Sequence, residues 1–247
     1  MADGLGENTK LAQLRYGYRE AEAYRFGPPG VPRLFVGFVY NPSLAGAGWW
    51  NFSASLLKLQ QSLRYRTTIL GIPSGPNISN PRNDVGATFL QTDDEWFLSL
   101  DTDIQFEPDH VDMLIAHGLD IVGGTYCNKF GVDEKPIPVC SVSLGEGKFG
   151  HGDVIQIDRG LVKVFGLGMG FTLVRREVME KLGNGPLWPF AELAVTGANL
   201  GAIEEADRNV VHMLSEDITF CARAQALGYE VWMDLDCKVK HHKSTVY

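Results

Sequence analysis

Short apolar runs alternate with segments of helical periodicity through the first half of the chain. Four compact runs have the length and composition of buried strands, and they cover residues 34–40, 67–72, 95–100 and 119–124. Between them, apolar residues recur at helical spacing in residues 53–64, 80–92 and 108–118. This alternation predicts an α/β domain with a mostly parallel central sheet and helices on both of its faces.

The second half of the chain has a different pattern. Residues 125–165 contain turns and short extended pieces, which predict a small antiparallel addition to the sheet. Ser215 precedes a helical segment, and we expect its hydroxyl to cap that helix. The remaining elements are predicted as helices over residues 175–182 and 215–227 and as strands over residues 229–233 and 237–241.

Two segments do not fit the alternation of strands and helices. Residues 1–30 are polar and end in Gly-Pro-Pro-Gly, so we predict an N-terminal arm followed by a single domain over residues 31–247. Residues 183–213 have weak periodicity. Loops of that length are uncommon in compact domains unless they are functional or disordered.

The composition is that of one large globular domain. Of the 247 residues, 45% are hydrophobic and 21% are charged, which is enough apolar material for a full core. The formal net charge is −8 at pH 7. An excess of negative charge argues against nonspecific binding to nucleic acid or to anionic lipid.

Cysteine usage and hydropathy indicate the compartment. The four cysteines form no C-x-x-C pair, so we expect free thiols in a reducing environment. The first residues lack the apolar core of a signal peptide, and no apolar run approaches the roughly 20 residues that span a bilayer. We therefore expect a soluble, cytoplasmic protein without a membrane span.

Two carboxylates mark the end of the third predicted strand. The apolar run 96–100 is followed by Asp101 and Asp103, and residues two apart on a strand point to the same face. A pair of oxygen donors beside a cleft suits Mg²⁺ or Mn²⁺, which keep waters and substrate phosphates as further ligands. The alternative is a strand that stops in a polar turn.

Three further features each have an ordinary structural explanation when taken alone. Gly168 and Gly170, before Phe171, serve packing or turns in many proteins, although a missing side chain also lets a ligand approach the backbone. Glu216 and Asp217 at a helix start usually interact only with the helix dipole. A terminal histidine pair such as His241-His242 is usually a solvated surface feature.

Taken in order, these segments resemble a known family. The segments are VYNP at 39–42, PRN at 81–83, LDTD at 100–103, GMGFTLVRREVMEKL at 168–182, SEDITFCARAQALGYEVWMD at 215–234 and VKHHK at 239–243. The chain resembles the GT-A-fold nucleotide-sugar glycosyltransferases, especially the DxD-containing, inverting family-2-like group, over residues 34–243. A phage-encoded enzyme is one case that the resemblance allows.

The resemblance implies a Rossmann-like GT-A domain with a metal site. Residues 31–124 would form the nucleotide-binding half and residues 125–247 the acceptor-side half. Asp103 would bind the metal directly, whereas Asp101 would bind through water or face the ribose. A C-terminal histidine would complete the site; strand alternation favours His241, with His242 as the alternative. Imidazole favours Mn²⁺ over Mg²⁺.

The resemblance also assigns roles in binding and catalysis. Asp217 would be the general base of an inverting transfer, and Glu216 would contact sugar or acceptor hydroxyls. Arg82 would pair with nucleotide phosphate through a two-point contact. The other predicted positions are Tyr40, Asn41 and Pro42 for base and ribose, Gly168 and Gly170 for the donor sugar, and Phe171 and Trp188 for the acceptor.

These roles predict a metal-dependent hexosyltransferase that moves a sugar from a nucleoside diphosphate, with UDP-sugar as the favoured donor, to an acceptor hydroxyl. The acceptor stays open among a saccharide, a protein side chain and a modified nucleobase. One rival is a nucleotidyltransferase, whose glycine-rich G-x-G-T-R-like loop is absent from residues 41–46. Another is a catalytically silent nucleotide-sugar-binding module. VYNP also lacks the acidic residue that commonly follows the first strand in family 2.

Overall fold

The computed structural model describes residues 24–41, 47–75, 77–130, 136–145, 148–151, 155, 159–183, 189–196 and 211–242. The helices in this part of the chain are α1 (Ala47–Gln61), α2 (Ser79–Gln91), α3 (Pro108–Ala116), α4 (Arg176–Gly183) and α5 (Glu216–Ala226). The strands are β1 (Tyr24–Phe26), β2 (Arg33–Tyr40), β3 (Arg66–Pro73), β4 (Trp96–Asp101), β5 (Ile104–Gln105), β6 (Ile121–Thr125), β7 (Cys127–Phe130), β8 (Pro136–Pro138), β9 (Cys140–Gly145), β10 (Lys148–His151), β11 (Leu161–Val164), β12 (Gly166–Leu167), β13 (Phe171–Arg175), β14 (Leu193–Thr196), β15 (Val211–Leu214), β16 (Val231–Lys238) and β17 (Lys240–His241).

A central eight-stranded sheet has the order β1-β3-β2-β4-β13-β6-β16-β11. Strands β3, β2 and β4 are parallel, and so are β6 and β16. Because β13 runs antiparallel to both β4 and β6, these five strands share one direction, and their carboxyl ends lie at the same edge of the sheet. The structure confirms the predicted α/β class with a mostly parallel sheet.

Helices cover both faces of the sheet, as predicted. On one face, α2, α4 and α5 contribute apolar side chains such as Phe89, Met179 and Phe220 to a single buried cluster. On the other face, α1 and α3 contribute Phe52 and Leu114 to a second cluster. The strands are buried on both sides, which explains why their sequences are continuous apolar runs instead of alternating ones.

Small antiparallel sheets in the second half confirm the predicted addition. Strands β10, β9 and β12 form a three-stranded sheet, and β7 pairs with β8. Strands β14 and β15 also pair, so two parts of the segment 183–213 that we predicted as a loop are extended. Within that segment, residues 184–188, which include Trp188, and residues 197–210 lie outside the described residues.

Three element boundaries differ from the prediction. Helix α1 begins at Ala47, before the predicted start at Ser53, whose hydroxyl donates within the helix to the Trp49 carbonyl at 2.8 Å. Ser215 occupies the N-cap position of α5 without capping it, because its hydroxyl donates to the Asp217 carboxylate. The two predicted final strands are one strand, β16, up to Lys238.

Strand β16 runs through a buried acidic residue that interrupts its apolar pattern. Asp234 is satisfied locally, because His117 Nε2 lies 2.8 Å from its Oδ2 and the Asp236 amide donates to its Oδ1 at 2.8 Å. A buried polar group costs little once it is hydrogen-bonded. The strand therefore continues where the sequence pattern predicted a break.

The sheet also extends into the predicted N-terminal arm. Strand β1 pairs antiparallel with β3, with Tyr24 opposite Ile69, so residues 24–26 belong to the sheet although they precede the predicted boundary at residue 31. The division into halves at residue 124 stays a prediction. In the part of the chain that the structure describes, no helix is long and apolar enough to cross a bilayer.

Candidate active site at the carboxyl edge of the sheet

The Asp pair lies at the carboxyl edge of the sheet, in the turn between β4 and β5. Asp101 is the last residue of β4, and Asp103 immediately precedes β5. Strand β17 pairs with β5 in a register that places His241 opposite Ile104. This short antiparallel pair brings the end of the chain to the Asp pair, although the two lie far apart in sequence.

Asp103 and His241 contact each other directly. His241 Nε2 lies 3.0 Å from Asp103 Oδ2, and His241 Nδ1 lies 3.0 Å from the Cys127 carbonyl oxygen. Because the carbonyl can only accept, Nδ1 carries a proton. In the protonated ring Nε2 donates a hydrogen bond to Asp103, whereas in the neutral ring its lone pair faces the same carboxylate and is available to a cation. The hydrogen bond to Asp103 raises the pKa of His241, against the opposing effect of burial.

Arg82 joins two other carboxylates. Its Nη2 donates to Asp101 Oδ1 at 2.9 Å, and its Nη1 lies 3.1 Å from Glu216 Oε1. Arg82 and Glu216 are both buried. In this arrangement both terminal nitrogens of Arg82 face protein carboxylates, and Glu216 faces Arg82. The predicted contacts of Arg82 with phosphate and of Glu216 with sugar or acceptor hydroxyls stay predictions.

The carboxylates of the site affect each other's ionisation. Burial raises the pKa of Asp101, the Arg82 guanidinium opposes this rise, and the charges of Asp103 and Asp217 add to it. Burial likewise raises the pKa of Glu216, again opposed by Arg82 and reinforced by Asp217. Asp217 therefore lies within electrostatic range of the Arg82 ion pairs, as expected for one site.

Asp217 lies in the first turn of α5. Its Oδ1 accepts hydrogen bonds from the Ile218 amide at 2.8 Å and from the Ser215 hydroxyl. Both donors bind the same oxygen and fix the orientation of the carboxylate, while Oδ2 accepts no hydrogen bond from the described residues. Negative charge is favoured at this end of a helix.

The ring of His242 contacts Gln105 and Asn51 instead of the Asp103 carboxylate. Its Nε2 lies 2.7 Å from Gln105 Oε1, and the Asn51 amide nitrogen lies 3.3 Å from the same ring nitrogen. Of the two histidines, only His241 has its ring within hydrogen-bond distance of Asp103. The structure thus gives the two neighbours different surroundings.

Tyr126 is a site residue that the sequence analysis missed. Its hydroxyl accepts a hydrogen bond from the Gly170 amide at 3.0 Å, and its ring centroid lies 5.6 Å from that of His241. Burial raises its pKa, so it stays neutral. Its position one residue after β6, at the same strand edge as Asp101, is the signal that could have identified it.

The glycines before β13 accommodate Tyr126. A Cβ at Gly168 would lie 2.4 Å from the Tyr126 hydroxyl oxygen, and one at Gly170 would lie 2.7 Å from it and 2.9 Å from Asp101 Oδ2. Close packing explains both glycines without a donor sugar. Phe171 is fully buried and packs against Phe106, and its contact with an acceptor stays a prediction.

The predicted nucleotide positions are only partly described. Tyr40 ends β2 at the same edge of the sheet, with its ring centroid 5.7 Å from that of Trp49, and Asn41 next to it is exposed. Pro42 lies outside the described residues. Trp49 was not predicted to contribute; its position in the first turn of α1 was hidden by the late predicted start of that helix.

The donor set is compatible with a divalent cation but does not enclose one. Among the described residues, no three His, Cys, Asp or Glu side chains are grouped so as to hold a metal ion. Asp103 and His241 alone offer an oxygen and an imidazole nitrogen side by side, while Asp101 is paired with Arg82. Two protein ligands are sufficient for ions of the Mg²⁺ type, which take waters and substrate phosphates as the others.

No protein-family model matches the chain, and no curated protein matches it either. Among solved structures, it is similar to A197 from STIV, with 17% identity, 87% of this chain and 96% of that chain covered and a TM-score of 0.49.

Two glycosyltransferase structures are also similar to the chain. GalNAc-T7 with UDP, GalNAc and Mn²⁺ has 8% identity and a TM-score of 0.46, with 87% of this chain and 45% of that chain covered. A glycosyltransferase involved in glycosylation of the major capsid of PBCV-1 has 11% identity and a TM-score of 0.35, with coverage of 63% and 68%. Because function depends on a site and not on a fold, these similarities assign no function to the chain.

Proposed function

We propose that the protein is a metal-dependent glycosyltransferase that moves a sugar from a nucleoside diphosphate to an acceptor hydroxyl with inversion. The observation that carries this proposal is the Asp103–His241 contact of 3.0 Å at the carboxyl edge of a mostly parallel sheet, where ligands of such sheets bind. Asp217 lies within electrostatic range of Asp101 in the same site. The order of these residues is also the order of the GT-A motifs.

Asp103 and His241 would hold the cation, and Mn²⁺ is the proposed ion because it accepts imidazole as well as carboxylate. The Cys127 carbonyl supports this role, because its contact with Nδ1 directs Nε2 of the ring toward Asp103. When bound, the ion would supply Lewis-acid stabilisation of the diphosphate leaving group. Asp101 would stay paired with Arg82, beside the proposed cation and the ribose of the donor.

Asp217 is the proposed general base. The acceptor oxygen forms a bond to the anomeric carbon while the bond from that carbon to the phosphate oxygen breaks, and the acceptor proton passes to Asp217. Its Oδ2 is the atom for this proton, since Oδ1 already accepts from Ile218 and Ser215. A positioned base of this kind contributes about 10²–10⁴-fold to the rate.

The donor is proposed to be a UDP-sugar, with Tyr40, Asn41 and Trp49 on the side of the base. Tyr40 and Trp49 offer neighbouring aromatic rings at the edge where β2 ends. The acceptor is a hydroxyl of a saccharide, a protein side chain or a hydroxymethylated base. Residues 183–213, which precede α5 in sequence, are the proposed acceptor region.

The test is release of nucleotide from a panel of UDP-, GDP- and TDP-sugars in the presence of Mn²⁺. We expect release with one donor and its loss on addition of EDTA. Asp217→Asn should abolish transfer while nucleotide binding persists, and Asp109→Asn, on an exposed aspartate of α3, is the matched control that should leave activity unchanged. EDTA-sensitive nucleotide binding without turnover would make the protein a binding module, and no binding of any donor would refute the proposal.

A further inference from the structure

We propose that His242 is a positioning residue for Asp103 and not a metal ligand. It acts through a clasp, which we define as Gly48 and Asn51 of α1, Gln105 of β5 and His242 itself. The inference rests on the proposed function, because Asp103 is the proposed ligand that the clasp holds. Three separate contacts carry it.

The first contact is made by the imidazole ring. Nε2 lies 2.7 Å from Gln105 Oε1, and the Asn51 amide nitrogen lies 3.3 Å from Nε2 and 3.5 Å from Nδ1. Because the Gln105 oxygen can only accept, Nε2 carries the proton and donates to it. The Asn51 nitrogen is nearly equidistant from the two ring nitrogens, so Asn51 packs against the ring. The ring is thereby held within the protein, with Nε2 occupied by Gln105.

The second contact is made by the backbone of the same residue. The His242 amide donates to the Asp103 carbonyl oxygen at 2.7 Å. Since the ring of His242 holds Gln105 and its amide holds Asp103, one residue fixes both ends of the segment 103–105. The pairing of Lys240 with Gln105 continues this attachment along β17.

The third contact is the close approach of helix α1, at Gly48, to His242 and Asp103. A Cβ at Gly48 would lie 3.2 Å from the His242 carbonyl oxygen and 3.3 Å from both Cα and Cβ of Asp103. The helix therefore packs directly against the residue that presents the carboxylate. Asn51, one turn further along the helix, reaches the His242 ring from the same side, and Asp103 is enclosed between α1 and β17.

The experiment measures the affinity of the protein for Mn²⁺ alone, from the EPR signal of the free ion. His242→Ala should weaken binding by about 10–100-fold, the usual effect of removing a supporting partner of a ligand, and Asn51→Ala should weaken it less. Gly48→Ala should also weaken it, although alanine is the better helix former. Gly86→Ala is the matched control, because its Cβ would lie 3.0 Å from the end of the Met179 side chain and 3.8 Å from the Phe190 ring, away from the clasp. The affinity of this variant should equal that of the wild type.

The outcomes separate the two roles of His242. If His242→Ala abolishes binding as completely as His241→Ala while Asn51→Ala and Gly48→Ala bind like the wild type, His242 is a ligand and the inference is wrong. If all three clasp variants bind like the wild type, the clasp does not position Asp103. A wild-type protein that binds no Mn²⁺ would instead refute the proposed function.

If the wild-type protein binds no Mn²⁺, a metal-free measurement still tests whether the clasp positions Asp103. The ¹⁵N signal of His241 Nε2 reports its hydrogen bond to Asp103. Asn51→Ala and Gly48→Ala should change this signal, whereas Gly86→Ala should not. An unchanged signal in both clasp variants would overturn the positioning role independently of any metal.

Discussion

The two halves of the candidate site differ in charge compensation and hardly in exposure. In the first half, the Arg82 guanidinium bridges Asp101 and Glu216, and the side chains of Arg82 and Asp101 are 9% and 36% exposed. In the second half, the Asp103 carboxylate faces the His241 imidazole, and these side chains are 39% and 11% exposed. The first half therefore contains a permanent positive charge between its carboxylates, whereas the second half contains an imidazole, which is a ligand when it is neutral.

The comparison shows how one cluster of acidic residues performs two tasks. The buried Arg82 cation pairs with two carboxylates and organises the cleft. A carboxylate beside an imidazole contributes little to stability but remains available to a divalent cation, which in turn can bind phosphate. We therefore expect substitutions in the first half to affect folding and substitutions in the second half to affect ligand binding.

Arg82→Met should have the largest effect on stability. It leaves Asp101 and Glu216 without their shared positive charge, and breaking a buried ion pair in this way costs about 3–5 kcal/mol. We expect the lower end of that range, about 3 kcal/mol, because Asp101 is partly exposed. Urea unfolding measures the loss. Arg64→Met is the control, since Arg64 pairs with Asp109 and Asp112 on the surface; an equal loss in the two variants would remove the distinction between the halves.

Asp103→Asn should mainly affect metal binding. We expect the affinity for Mn²⁺ to fall on the order of 100-fold, at least the upper end of the range for supporting residues, because a direct charged ligand is replaced by a neutral amide. The urea midpoint should change little. Isothermal titration with MnCl₂ provides the affinity, and unchanged binding would show that Asp103 is not a ligand.

Tyr126→Phe should have an intermediate effect, because Tyr126 lies between the two halves. Loss of the hydroxyl leaves the buried Gly170 amide without the acceptor that now lies at 3.0 Å, which costs about 1–2 kcal/mol. Chemical denaturation is the measurement. A stability equal to that of the wild type would mean that the amide finds another partner, and that Tyr126 does not link the halves.

His241→Gln should have the smallest effect on stability, and only at low pH. The pKa of His241 is raised in the folded protein, mainly by Asp103. In the metal-free protein the stabilisation is therefore fully present below the unfolded pKa of about 6.5 and is lost as the pH rises through the folded pKa. We expect a cost below about 1 kcal/mol, detected as a difference in melting temperature from the wild type at pH 5.5 that vanishes at pH 9. A loss of stability that does not depend on pH would exclude an ion pair between His241 and Asp103.

Much of the architecture could be predicted from the apolar runs. Buried strands such as β2 and β4 appear as continuous hydrophobic segments, and parallel strands present their carboxyl ends at one edge. On this basis we predicted that Asp101 and Asp103 lie beside a cleft at that edge. Local patterns were less successful at helix α1, where Trp49 and Asn51 precede the predicted start.

The contacts within the site could not be predicted in the same way. Arg82 and Glu216 are 134 positions apart in sequence, and their contact depends on how α2 and α5 pack, which periodicity does not encode. Adjacent histidines are chemically identical in sequence, yet Cys127 and Asp103 surround one, whereas Asn51 and Gln105 surround the other. Only the pairing of β17 with β5 distinguishes them.

The most direct test is anomalous diffraction from a crystal soaked with MnCl₂ and UDP, recorded at the manganese absorption edge. We predict one peak bonded to Asp103 Oδ2 and His241 Nε2, with Arg82 still on Asp101 and Glu216 and with His242 still on Gln105. A peak bonded to His242, a peak away from Asp103, or no peak at saturating MnCl₂ would contradict the division of the site into an ion network around Arg82 and a ligand pair of Asp103 and His241.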